Sequence, residues 1–172
     1  STITLATGAL GVTLMGAGGG SSQSFFSNST PNGVSEIKAT SAFSTSSPLV
    51  QFTGQSDGCG IRDLMLNGNA RAEFLLRIYN AYDAKFRDIT GVYWNGTSSS
   101  YAVQLRNDGD GGRADNCQVW ENCTFTRPSG SYGSGLDLNP VSTHYMCEIK
   151  FIGCTFEAYN GAFSTYGPHL VR

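Results

Sequence analysis

Apolar side chains along this chain recur at every second position in short runs: Ile3 and Leu5, Val12 and Leu14, Val50 and Phe52, Leu76 and Ile78, Val103 and Leu105, and Leu136 and Leu138. Alternation with period two puts one set of side chains on a single face, so each run predicts a strand with one buried side. Spacers rich in Gly, Ser and Asn separate the runs at 27–33, 67–69, 95–100, 107–112 and 129–135, and these read as turns. A strand-sized phrase also repeats, as CGIRDL at 59–64, AKFRDI at 84–89 and CQVWENC at 117–123, with CEIKFIGC at 147–154 as a looser copy. Recurrence at roughly 25 to 35 residues marks a stacked repeat in which each copy buries its apolar face against its neighbours. The predicted fold is therefore all-β, a right-handed parallel β-helix. It is expected to form one domain over 1–172, with first coils at 1–69 and later coils at 70–172.

Residues 70–86 offer a rival pattern, because Phe74, Leu75, Ile78 and Tyr82 also fit one face of a helix rich in Ala, Arg, Glu and Leu. Two strands are preferred there, since Leu76 and Ile78, and Phe86 and Ile89, align with the other copies. Stacking the copies in register then predicts inward columns Val50, Leu76, Val103, Leu136 and Phe52, Ile78, Leu105, Leu138. Outward columns follow as Gln51, Arg77, Gln104, Asp137 and Thr53, Tyr79, Arg106, Asn139. On a second sheet, Ile61, Phe86, Val119 and Ile149 are expected inward, with Arg62, Arg87, Trp120 and Lys150 outward.

Composition narrows the partners. The 172 residues carry a net charge of −2 and only 14% charged side chains, which leaves no basic field for a phosphate backbone, so no nucleic-acid partner is expected. No apolar run approaches the ~20 residues of a membrane-spanning helix, so no membrane insertion is expected. The opening Ser-Thr-Ile-Thr-Leu has neither an initiator Met nor the build of a signal peptide, and the chain reads as a fragment or a processed piece. Five cysteines cannot all pair within one chain. Cys59, Cys117 and Cys147 share one position of the repeat and Cys123 and Cys154 another. Buried free thiols are the simplest reading, with disulfides as the alternative and no spacing that favours a metal.

The order of a Val-Thr-Leu-x-Gly-x-Gly turn at 12–18, a short strand SEIKAT at 35–40, SPLVQFTG at 47–54 and GIRDLMLNGN at 60–69 resembles the first coils of the pectate-lyase superfamily. That superfamily includes the endorhamnosidase and capsule-depolymerase tailspikes of bacteriophages. The resemblance covers 3–69 and continues in pattern at 116–125 and 148–156. It implies an incomplete segment of a longer β-helix, located in the virion (a phage tail) or outside the cell. It further implies a homotrimer in contact with other virion proteins and bacterial surface polysaccharide as the ligand. Polysaccharide-degrading hydrolases (glycosidases) of the superfamily work through carboxylate pairs roughly 5 to 9.5 Å apart, and its lyases through a base, often with a calcium ion or an arginine that neutralises a uronate. An enzyme of that kind and a purely structural virion protein are the two alternative readings.

Candidate residues come from the outward columns. Alternating amide, guanidinium, carboxylate and aromatic groups can hydrogen-bond sugar hydroxyls while a ring packs on the apolar face of a pyranose. Gln51, Arg77, Tyr79, Gln104, Arg106 and Asn139 have that composition, and Trp94, with Tyr93 and Tyr101, sits in an adjacent turn that could wall the strip. Asp137 is the best-placed carboxylate for catalysis, and it also reads as a structural salt-bridge partner of Arg106. The same face reads as an ordinary solvated sheet or as a trimer contact. Asp108 and Asp110 resemble the start of an oxygen-rich Ca2+ loop, and more simply a polar turn. No other cofactor or metal is expected. Asp63, Asp88 and Glu121 recur with the repeat as edge or turn residues.

Overall fold

A computed structural model of the chain describes residues 1–6, 8–18, 34–54, 56–95, 97, 99–107, 117–127, 134–140 and 148–158. Among them every regular element is a strand: β1 (Ile3–Leu5), β2 (Thr13–Met15), β3 (Glu36–Lys38), β4 (Pro48–Phe52), β5 (Gly60–Asn67), β6 (Phe74–Tyr79), β7 (Lys85–Val92), β8 (Tyr101–Asn107), β9 (Val119–Glu121), β10 (Thr124–Arg127), β11 (Ser134–Pro140), β12 (Lys150–Ile152) and β13 (Thr155–Ala158). The fold is all-β. No helix among the described residues is long and apolar enough to cross a membrane.

The strands form two sheets, and every pairing is parallel. The first sheet runs β1-β4-β6-β8-β11, while the second holds β2, β3, β5, β7, β9, β10, β12 and β13. From β4 onward the chain visits the sheets by turns, so each return to the first sheet adds the next strand in order. Parallel neighbours joined this way need a crossover between them, and here the crossover is a stretch of the other sheet. Residues 70–86, where a helix competed, divide into β6 and the start of β7. In β6 the buried Leu76 and Ile78 alternate with the half-buried Arg77 and Tyr79, which is the period of a strand and not of a helix.

On the first sheet the expected columns stand. Val50, Leu76, Val103 and Leu136 are in register, and so are Gln51, Arg77, Gln104 and Asp137. One irregularity precedes them. The consecutive pair Leu75 and Leu76 both face the core, while Phe74 lies on the outer side with Tyr101 and Arg77. The strands therefore change face at this point, and an aromatic pair is added to the outer strip.

The second sheet departs from expectation by one residue. Phe86 is level with Trp120, not Val119, and Trp120 is level with Phe151. Trp120 is fully buried and stacks on Phe86 with ring centroids 4.0 Å apart. A slip of one flips every side chain to the other face, so Val119 moves outward and Ile149 joins Cys59, Ala84 and Gln118 in the row ahead. The cause lies at the preceding turn. Gly58, Asp83, Cys117 and Glu148, two residues ahead of the registered set, all adopt left-handed backbone with φ of 67, 54, 56 and 57°. Cys117 thus occupies the position of Gly58 and not that of Cys59. A second left-handed row, Asp63, Asp88, Asn122 and Gly153, with φ of 57, 51, 52 and 62°, bends the second sheet mid-strand. Asp and Asn tolerate this conformation better than other side chains, which is why Asn122, rather than Glu121, is the counterpart of Asp63 and Asp88.

Side chains from both sheets meet in one apolar cluster, with Phe52 of the first sheet edge-on to Phe86 of the second at 5.7 Å. Cys59 and Cys123 are buried within it, and Cys59, Cys117, Cys123 and Cys154 are free thiols.

Candidate functional site

Three strands of the first sheet carry a hydrogen-bonded chain of polar groups across their outer face. Arg77 Nε donates to Gln104 Oε1 at 2.9 Å, and Gln104 Nε2 donates to Asp137 Oδ2 at 2.8 Å. The register places these three side chains side by side at the ~4.8 Å strand spacing, so each can reach only the next. Gln104 orients its amide by giving its oxygen to the guanidinium and its nitrogen to the carboxylate. The guanidinium is further fixed between two rings, with Phe74 and Tyr79 each centred 4.8 Å from its carbon. Arg106, in the neighbouring column, lies 6.0 Å from the Tyr79 ring.

Burial grades this strip. Gln104 and Asp137 are only 5% and 6% exposed, whereas Gln51, Arg77, Tyr79, Tyr101 and Arg106 are half-buried and present a polar edge to solvent. Burial pushes the Tyr101 hydroxyl up, and the nearby Asp137 carboxylate adds to the effect. Glu73, just ahead of β6, is likewise raised by burial, with Arg77 pulling it back. The strip can hold a neutral polyol through fixed donors and acceptors beside aromatic rings. As an acid–base pair it is poorly equipped, because the row Gln51, Arg77, Gln104, Asp137 contains one carboxylate, already bonded to an amide, where glycoside hydrolysis uses two.

The structure brings together Gln51, Arg77, Tyr79, Gln104, Arg106 and Asp137 as anticipated, and places Asn139 level with Arg106. Trp94 is a correction. It is 0% exposed and belongs to the apolar cluster, so it cannot wall the strip. Phe74 is the residue the period-two pattern missed, because alternation continued from Leu76 puts it inside. The double apolar Leu75-Leu76 is the sequence sign of the face change. Asp108 and Asp110 lie outside the described residues, and among the described residues no group of His, Cys, Asp or Glu is placed to hold a metal ion.

A second feature lies on the outer face of the second sheet. Thr13, Met15, Arg62, Lys85, Phe86, Arg87, Val119 and Glu121 line a groove of about 670 Å3. Comparison of the chain with protein-family models, curated proteins and solved structures finds no match.

Proposed function

We propose that the chain is a segment of a right-handed parallel β-helix, belonging to a bacteriophage tail fibre or tailspike of the pectate-lyase superfamily, that holds polysaccharide of the host surface against the outer face of its first sheet. The all-parallel pairing, the regular exchange between sheets and the two left-handed rows at fixed register support the solenoid. Trimerisation, contact with other virion proteins and a place in the virion follow from the same reading. The observation that carries the ligand is the Arg77 guanidinium, whose carbon lies 4.8 Å from the ring centres of both Phe74 and Tyr79 and whose Nε is tied to Gln104. Its orientation is set before a ligand arrives, which removes most of the ordering cost of an Arg contact. Among the described residues its Nη groups have no hydrogen-bonded acceptor, and a fixed fork beside the half-buried Tyr79 ring suits the hydroxyls and the apolar face of a pyranose.

The test is incubation with purified bacterial capsule or lipopolysaccharide, with binding followed by calorimetry and cleavage by new reducing ends and by the absorbance of unsaturated uronates. Binding without turnover is expected, weakened about tenfold, or roughly 1.4 kcal/mol, by Arg77→Ala. Turnover that disappears in Asp137→Asn would replace this reading with a polysaccharide-degrading enzyme. No binding to any glycan of the host would leave a purely architectural virion protein.

A further inference from the structure

The groove on the second sheet lies between two outward rows. One is Thr13, Gly60, Lys85, Val119 and Lys150, and the other Met15, Arg62, Arg87, Glu121 and Ile152, each in strict register. Gly60 leaves the first row without a side chain between Thr13 and Lys85, because a Cβ there would run into the Lys85 carbonyl. In the second row two arginines are register neighbours, and like charges directly opposite one another on neighbouring strands are destabilising. Their partners offset this unequally. Arg87 pairs with Asp88 at 2.9 Å and has Glu121 level with it on the next strand. Arg62 has only a loose contact to Asp63 at 3.8 Å, and its Nε and Nη2 both point at the sulfur of Met15, at 3.1 and 2.9 Å.

A thioether is a weak acceptor for two charged donors. The fork of Arg62 is thus laid out for bidentate contact with a carboxylate, and a flexible, exposed methionine occupies that place. Both arginines stay open to solvent, with side chains 50% and 60% exposed.

We propose that this groove is a second ligand site, for the carboxylate groups of an acidic polysaccharide, with Arg62 as the primary contact and Arg87 and Lys85 as its neighbours. A uronate carboxylate displaces the Met15 sulfur from the Arg62 fork and supplies the negative charge that the row of two arginines lacks at that end. The next acidic group along the polymer meets Arg87 or Lys85, since adjacent strands are ~4.8 Å apart, comparable with the length of one sugar ring. Val119, Thr13 and the Met15 side chain supply apolar surface for the ring faces between carboxylates. Glu121 competes for Arg87 and limits affinity at that end. The site shares no residue with the first-sheet strip. It rests on the polysaccharide reading only for the class of polymer.

Polygalacturonate is the probe, with dextran as a neutral polymer and polyglutamate as an acidic peptide, each titrated calorimetrically at low and at physiological salt. Polygalacturonate is expected to bind, more weakly as salt rises, and dextran not to bind in this groove. The double variant Arg62→Gln, Arg87→Gln should lose at least tenfold in affinity with an unchanged circular dichroism spectrum. Glu121→Gln should gain affinity, and Arg77→Ala on the other sheet should leave the polygalacturonate titration as it was. No binding of polygalacturonate, or binding indifferent to the double variant, overturns the proposal. Polyglutamate binding as tightly as polygalacturonate overturns the sugar assignment and leaves a site for any polyanion. Should Arg77→Ala abolish polygalacturonate binding while the double variant does not, the first-sheet strip stands and the groove falls.

Discussion

Two sulfurs show how far a neighbour can set the chemistry of a residue. Thr124 and Thr155 are register partners, so Cys123 and Cys154, one residue ahead of each, lie side by side on adjacent strands. In the neutral pair each thiol donates to a carbonyl, Cys123 Sγ to Glu121 O at 3.3 Å and Cys154 Sγ to Trp120 O at 3.4 Å; once Cys154 ionises, the Cys123 thiol donates to it instead and stabilises the thiolate, which brings Cys154 down to about 7. The same hydrogen bond, together with burial, pushes Cys123 well up. Cys117 is raised too, because its thiol donates to the Glu148 carboxylate at 2.8 Å. The thiolate is the reactive form. A lowered value means that it is present from lower pH, so alkylation of Cys154 by iodoacetamide should rise through about pH 7, ahead of Cys117, while Cys123 stays unmodified in the folded protein. Cys123→Ala removes the donor and should move the Cys154 profile upward, toward the ~8.5 of an ordinary thiol. Peptide mass spectrometry across a pH series reads both effects, and simultaneous labelling of the two cysteines would refute the hydrogen-bonded pair.

At the level of strands, how much could be read from sequence depended on what sets the register. The rows of the first sheet were legible from Leu76 onward, because Val50, Leu76, Val103 and Leu136 alternate cleanly with polar residues, and the period is disturbed only ahead of them, at Phe74 and Leu75. The second sheet was legible through Ile61 and Phe86 and was then misplaced by one residue, because register there is fixed by left-handed turn residues that the pattern of apolar positions does not reveal. Cys117 takes the place of a glycine, and its cysteine identity suggested the wrong neighbour. Phe74 and Trp94 were misjudged for a related reason: the chain changes face beside one and buries the other behind a turn. The registered partner of Phe86 is the deciding point, and it can be tested by stability. With its indole stacked on Phe86 and edge-on to Phe125, Trp120→Ala should cost about 3–5 kcal/mol, while Val119→Ala on the outer face should cost less than about 1 kcal/mol. Urea midpoints for the two variants distinguish the registers, and the opposite order would restore Val119 to the interior.

For the molecule as a whole, stability is expected to be graded along the direction in which strands are added. Each strand of the first sheet is paired with the one before and the one after it, and the second sheet follows the same progression through β5, β7, β9 and β10. In such an arrangement each layer contacts mainly its neighbours, so protection depends on how many layers cover it. The interior residues of β5, β6, β7 and β8 are inaccessible, whereas β1, β2 and β12 are mainly exposed. Both candidate sites draw on the protected layers: Arg77 and Gln104 stand on β6 and β8, and Arg62 and Arg87 on β5 and β7. A side chain anchored there keeps its orientation at little entropic cost, whether it faces a neutral sugar or a carboxylate. Hydrogen exchange read by mass spectrometry should therefore be slowest at 64–66, 75–78, 89–92 and 103–105 and fastest at 3–5, 13–15 and 150–152. Uniform protection along the chain would mean a single cooperative core in place of layers stabilised by their neighbours, and the rigid platform on which both sites depend would need another explanation.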